Sequence, residues 1–145
     1  MKTNGGFLVT KIKQLGDRIF ERILAEKNID AFSGAQGRIL YVLWQEDGVP
    51  IKIISEKSGL AITSLTTMLE RMEKNGLISR KTDEADKRKT LLFLTDKAKE
   101  LKEAYDSVSN EMGNIYYRDF TDKEILQFEE YLNRIRVNLE EWSDK

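Results

Sequence analysis

Between Arg80 and Lys89 the chain carries eight charged side chains in ten residues, of both signs; the charge then stops, and Leu91, Leu92, Phe93 and Leu94 follow. This juxtaposition constrains the fold more than any other stretch. The charges resist burial, and the apolar run belongs against a core. Residues 77–81 and 90–94 read as two short strands, which makes 83–89 the tip of a hairpin. A solvated turn would suffice there. A loop built to touch a polyanion would look similar.

Helices precede the hairpin. Residues 7–27 set Leu8, Ile12, Leu15, Ile19 and Ile23 at helical spacing. Ser33 and Gln36 form a capping box for a second helix with Ile39, Leu40, Leu43 and Trp44 inward, stopped at Asp47-Gly48. Pro50 suits the first turn of a short third helix, with Ile51 and Ile54 facing in. Gly59 interrupts. A fourth helix runs from about Ile62 to Asn75, with Leu65, Met68, Leu69 and Met72 inside and Gly76 as its left-handed stop. Two short helices separated by a tight glycine turn make a helix-turn-helix candidate.

Helices also follow it. Thr95 can cap a fifth helix whose apolar positions are Leu101, Tyr105, Val108, Met112 and Ile115. Thr121 and Glu124 form a capping box for a sixth, whose apolar positions are Ile125, Phe128, Leu132, Ile135, Leu139 and Trp142. Steps alternating between three and four residues are the seam of helices that pack lengthwise on other helices. The seams could meet within one chain. Phe120 and Tyr131, off the seam, and the small interior of so short a chain favour packing between subunits.

Composition narrows the function. The 145 residues are 40% hydrophobic and 34% charged, enough for one core with long solvent faces. There is no cysteine and no histidine. Disulfides, thiol chemistry, Cys/His zinc sites and imidazole bases are thereby excluded, and the expectation is a binding protein without metal, cofactor or catalytic residues. No apolar stretch reaches the ~18 residues of a membrane span and no signal-peptide pattern opens the chain, so a cytoplasmic protein with no membrane association is expected. Net charge is −1, yet residues 51–100 hold 11 Lys and Arg against 8 Asp and Glu, while the remainder holds 13 against 17. A basic middle between acidic flanks can focus a polyanion onto one face.

The order of helices, glycine turn, charged hairpin and two long helices matches a winged helix-turn-helix flanked by dimerisation helices. Residues 49–95 resemble the MarR family of bacterial transcription regulators. The resemblance rests on Ser58-Gly59-Leu60, on Ser64-Leu65-Thr66, and on the run from Leu69 through Glu70-Arg71-Met72-Glu73-Lys74-Asn75-Gly76 to Arg80. Its most specific part is Asp83-Glu84-Ala85-Asp86-Lys87-Arg88, with Leu94-Thr95 six residues on. Helix order extends it over about residues 7–142. Three positions depart from the family pattern. Ala61 stands where a capping Ser or Thr is usual, Thr67 where a basic residue is common, and Ala98 where Gly is common.

The fold expected is mostly α with a small β-hairpin wing: a single domain over 1–145, with the DNA-binding lobe at about 33–95 and dimerisation helices at about 7–30 and 96–142. The expected function is a sequence-specific regulator of transcription. It would be a ligand-responsive repressor that grips a pseudo-palindromic operator in double-stranded DNA as a homodimer. The outward edge of the fourth helix, Ile62, Thr63, Ser64, Thr66, Thr67 and Arg71, would read the major groove. The wing residues Asp86, Lys87, Arg88 and Lys89 would lie in or near the minor groove. The resemblance implies that Glu70 pairs with Arg88 to set the wing, with Asp86 capping the turn. Lys52, Lys57 and Lys74 are phosphate candidates. It also implies a small aromatic effector, for which Phe20, Tyr41, Trp44 and Tyr105 could line a pocket; they could equally be core aromatics. Two other readings remain at this point: a winged-helix protein-interaction module, favoured by the acidic pI and by Ala61, and an enzyme, for which no paired carboxylates stand out.

Overall fold

Ser33 opens the part of the chain that closes on itself. In the computed structural model, which describes residues Met1 to Lys145, the Ser33 hydroxyl accepts from the Gln36 N–H at 3.2 Å and the Gln36 side chain accepts from the Ser33 N–H at 3.1 Å. Both halves of the capping box are therefore made, at the start of the second of seven helices. These are α1 (Gly5–Glu26), α2 (Gly34–Gln45), α3 (Ile51–Ser58), α4 (Ile62–Lys74), α5 (Asp96–Lys99), α6 (Lys102–Tyr116) and α7 (Asp122–Ser143), with strands β1 (Ile78–Thr82) and β2 (Thr90–Leu94) between α4 and α5.

The core lies where α2, α3, α4 and the hairpin converge. Ile39, Leu40, Leu43, Ile54, Leu65, Leu69 and Met72 are fully buried there with Leu77, Ile78 and Leu92. Burial of such side chains stabilises by about 1.5–3 kcal/mol each. The strands pair antiparallel, Ile78 opposite Leu94, Arg80 opposite Leu92 and Thr82 opposite Thr90. Val49 adds a single bridge beside β2, accepting from the Leu92 N–H at 2.9 Å and donating to the Leu92 carbonyl at 3.3 Å. Gly48, at φ +70°, permits that approach, because a Cβ there would meet the Phe93 ring at 2.5 Å. The Asp47 carboxylate accepts from the Leu94 N–H at 2.8 Å and extends the same edge.

The helix-turn-helix corner is tied by serines. Gly59 is left-handed, φ +74°, after α3. The Ser55 hydroxyl donates to the Leu60 carbonyl at 2.7 Å, and the Ser58 hydroxyl accepts from the Leu60 N–H at 3.1 Å. Ala61 caps α4 with no side-chain bond, and Thr63 makes none in its place. The turn is set from α3, and the first turn of α4 keeps its N–H groups toward solvent.

One expectation fails between 95 and 116. A single fifth helix is expected there, but α5 ends after one turn and α6 begins at Lys102. The Ala98 carbonyl accounts for the break. It accepts from the Trp44 indole N–H at 3.3 Å and from the Leu101 N–H at 3.1 Å, a tight i to i−3 bond, where an uninterrupted helix would give it the Lys102 N–H. Thr95 caps α5 as expected, accepting from the Ala98 N–H at 3.2 Å. Pro50 sits one residue earlier than expected, as the extended cap before α3.

The chain divides into two units, Met1–Ser109 and Asn110–Lys145. In the first, α1 buries only Ile23 and Leu24 at its C-terminal end, while Leu8, Ile12 and Leu15 stay exposed. Glu21 holds α1 to α2 by accepting from the Gly34 N–H at 2.5 Å. In the second, Thr121 and Glu124 complete the capping box of α7. Tyr117 donates to Glu129 at 2.7 Å and packs its ring on Phe120 and Phe128. Burial, and then the Glu129 carboxylate, push the Tyr117 phenol up to about 12. No residue of α7 is buried.

Candidate nucleic-acid interface

Helix α4 presents one face to the core and one to solvent. Leu65, Leu69 and Met72 face in, at the spacing of a single helical stripe. Ile62, Thr63, Ser64, Thr66, Thr67, Glu70 and Arg71 are all exposed, and Ile62 keeps 48% of its surface in water although it is fully apolar. Thr66 donates its hydroxyl proton to the Ile62 carbonyl at 3.0 Å, which leaves the hydroxyl oxygen free to accept. The edge therefore offers one apolar side chain, several hydroxyls, an acid and a cation next to an uncapped helix start.

The wing tip is shaped by its acids. The Asp83 carboxylate accepts from the Ala85 N–H at 2.9 Å, and Asp86 accepts from the Arg88 N–H at 3.1 Å, so two consecutive Asx turns fold the loop. The Arg88 side chain, first, and its backbone N–H, second, hold the Asp86 carboxyl below the usual carboxylate range. Lys87, Arg88 and Lys89 are exposed, and neither lysine makes an ion pair. Asp86 thus caps the turn as expected.

The expected Glu70–Arg88 pair is not formed. Arg88 instead lies on its near neighbour Asp86, Nε to Oδ1 at 3.0 Å and Nη2 to Oδ2 at 3.3 Å, and Glu70 makes no ion pair. A partner two residues away costs less side-chain and loop ordering than one on another element, and Arg88 remains 91% exposed. The helix and wing are joined by a different pair. Glu73, near the end of α4, accepts from Arg80 of β1 at 3.2 Å. Among the phosphate candidates Lys57 is engaged with Glu46 at 2.8 Å, whereas Lys52 and Lys74 are exposed and carry no ion pair. Lys52, Arg80, Arg88 and Lys89 line an open groove between the start of α3 and the wing.

Residues 32–90 match the sequence model of the MarR family. The matched segment spans α2, α3, α4, β1 and the wing loop. The HTH-type transcriptional regulator TtmR of Methylorubrum extorquens is 36% identical over 77 residues, covering 53% of this chain and 40% of that regulator, so the similarity spans less than half of its length. Among solved structures, a mutant MarR from E. coli complexed with operator DNA superposes with a TM-score of 0.80 at 22% identity over 90% of this chain and 91% of that one. BpsR of Bordetella bronchiseptica, from a study of how 6-hydroxynicotinic acid regulates its DNA binding, gives a TM-score of 0.82 at 18% identity over 92% of this chain and 99% of that one. At these identities the structures establish a shared fold: mostly helical, with a two-stranded wing.

The four aromatic residues singled out from the sequence do come together. Tyr105 is the hub, with ring centroids of Phe20, Tyr41 and Trp44 at 6.0, 5.8 and 5.3 Å. Phe32 is a fifth member, at 6.1 Å, that the sequence reading missed; the glycine five residues on, Gly37, was the available signal, since a Cβ there would press on both rings at 3.2 Å. Burial, then the neighbouring Tyr41, raises the Tyr105 pKa. The rings fill the space against one another, and Tyr41 still reaches solvent.

Proposed function

We propose that the chain regulates transcription by binding double-stranded DNA as a homodimer, with α4 in the major groove and the wing in or beside the minor groove. The observation that carries this reading is the exposed, uncapped edge from Ile62 to Thr67 beside a tip whose Lys87, Arg88 and Lys89 project into solvent. Hydroxyls can bond base edges or phosphates and Ile62 can meet a thymine methyl. Cations at the tip suit the strong negative potential of a narrow minor groove. TtmR's name as a regulator and the operator complex of E. coli MarR support it.

Dimerisation is supported by apolar side chains that the single chain does not cover. Ile135, Leu139 and Trp142 of α7 are exposed, as are Phe7, Leu8 and Ile12 of α1. Two-fold symmetry then predicts a pseudo-palindromic operator with half-sites about 10 base pairs apart. A small aromatic effector that displaces Tyr41 from the Tyr105 cluster, and so releases a repressor from DNA, is the further part of the proposal; the regulation named for BpsR supports it. Titration of labelled genomic fragments between about 50 and 200 mM salt tests the reading. Six or more neutralised phosphates would lower affinity by about a thousandfold over that range. Affinity that ignores salt would contradict it.

A further inference from the structure

Sequence alone offered no role for Arg80 or Glu73, yet they make the ion pair that joins recognition helix and wing. Arg80 stands on the same face of β1 as the buried Ile78, opposite Leu92, just where the core ends. Its guanidinium turns toward α4, and Nε donates to Glu73 Oε1 at 3.2 Å. Only that one of its five N–H groups goes to the carboxylate in this geometry. The same side chain lines the groove that also holds Lys52, Arg88 and Lys89, with Glu56 as its single carboxylate. Glu73, for its part, follows Ile62, Thr66 and Glu70 along one stripe of α4, so it ends the very edge assigned to DNA.

An acid at that place is a liability for a DNA-binding face unless it has another task. We propose that Arg80 is a contact to the DNA backbone in the groove between α3 and the wing, and that Glu73 is the positioning residue that fixes its guanidinium there. The proposal rests on the DNA-binding reading above. It accounts for an acid on the edge, for an arginine only about a third exposed at the root of a wing, and for four cations around one groove. A guanidinium pinned at Nε keeps both terminal nitrogens for phosphate oxygens and loses less freedom on binding than an unrestrained one.

The two explanations of Glu73 differ in sign. If it only adds negative charge, Glu73→Gln tightens DNA binding. If it positions Arg80, the same change weakens it. The test uses a duplex that the wild-type chain selects from a random pool, with anisotropy measured across a salt series. Arg80→Ala should weaken binding about tenfold and make the salt slope shallower by about one. Glu73→Gln should weaken it about threefold with the slope unchanged, and the double variant should bind no worse than Arg80→Ala alone. Glu73→Asp, which keeps the carboxylate, should retain most of the affinity. Urea midpoints should stay near wild type, as for any exposed pair. Tighter or equal binding by Glu73→Gln, or wild-type binding by Arg80→Ala, overturns the proposal. A wild-type chain that selects no duplex removes the DNA reading itself, which separates the two failures.

Discussion

The lobe built from α2, α3, α4 and the hairpin and the long helix α7 solve opposite problems with similar material. Both have capped helices and both carry apolar side chains at regular spacing. In the lobe those side chains meet: Ile39, Leu65 and Leu69 are fully buried within a segment of about sixty residues. Helix α7 is longer than any helix of the lobe, at 22 residues, and buries none of them. Leu139 and Trp142 keep 65% and 73% of their surface in water. Spacing therefore sets which side of a helix is apolar, while the neighbouring elements decide whether that side is covered. The lobe completes itself; the apolar side of α7 is left uncovered by the chain.

Breaking the lobe should produce the largest effect. Leu69→Ala removes a fully buried side chain from the middle of α4 and should cost about 2–5 kcal/mol, read from urea denaturation. The contrast with α7 sharpens in a double change, Ile135→Asp with Leu139→Asp. Two carboxylates on that seam should yield a monomer by sedimentation at micromolar concentration, with the circular dichroism of a folded lobe retained. A dimer that persists would assign the seam another purpose.

A smaller effect separates binding from folding. Arg88→Ala should weaken DNA binding by about tenfold, the size of one charge-assisted contact, with sedimentation and stability unchanged, because the Arg88 side chain is 91% exposed and bonds only to Asp86 within the chain. The smallest concerns the start of α4. Ala61 makes no side-chain cap, so Ala61→Ser should raise lobe stability by about 0.5–1 kcal/mol in the same urea assay. No gain would mean that the serine latch on Leu60 already leaves the first turn without need of one.

Much of this architecture was readable from local chemistry. Ser33 and Thr121 cap where their spacing to Gln36 and Glu124 says they should, Thr95 caps α5 as expected, and the hairpin brackets a loop too charged to bury. What escaped the sequence depends on elements distant along the chain. The break between α5 and α6 is made by Trp44, fifty-four residues before Ala98. The link from helix to wing falls to Glu73 and Arg80 because Arg88 finds Asp86 two residues away. Of the candidate phosphate cations, Lys57 is engaged by Glu46 across a helix junction, which composition could not reveal. The aromatic residues were named one by one, but their convergence on Tyr105, with Phe32 added, needed the packing of α1, α2 and α6.

The most direct test of the central claim is selection of duplexes from a random DNA pool by the intact wild-type chain, followed by sequencing of the bound fraction. The account predicts enrichment of an inverted repeat whose half-sites lie about 10 base pairs apart, with spacing fixed by the dimer. Recovery of no common sequence, or of a single unrepeated half-site bound by a monomer, would contradict it.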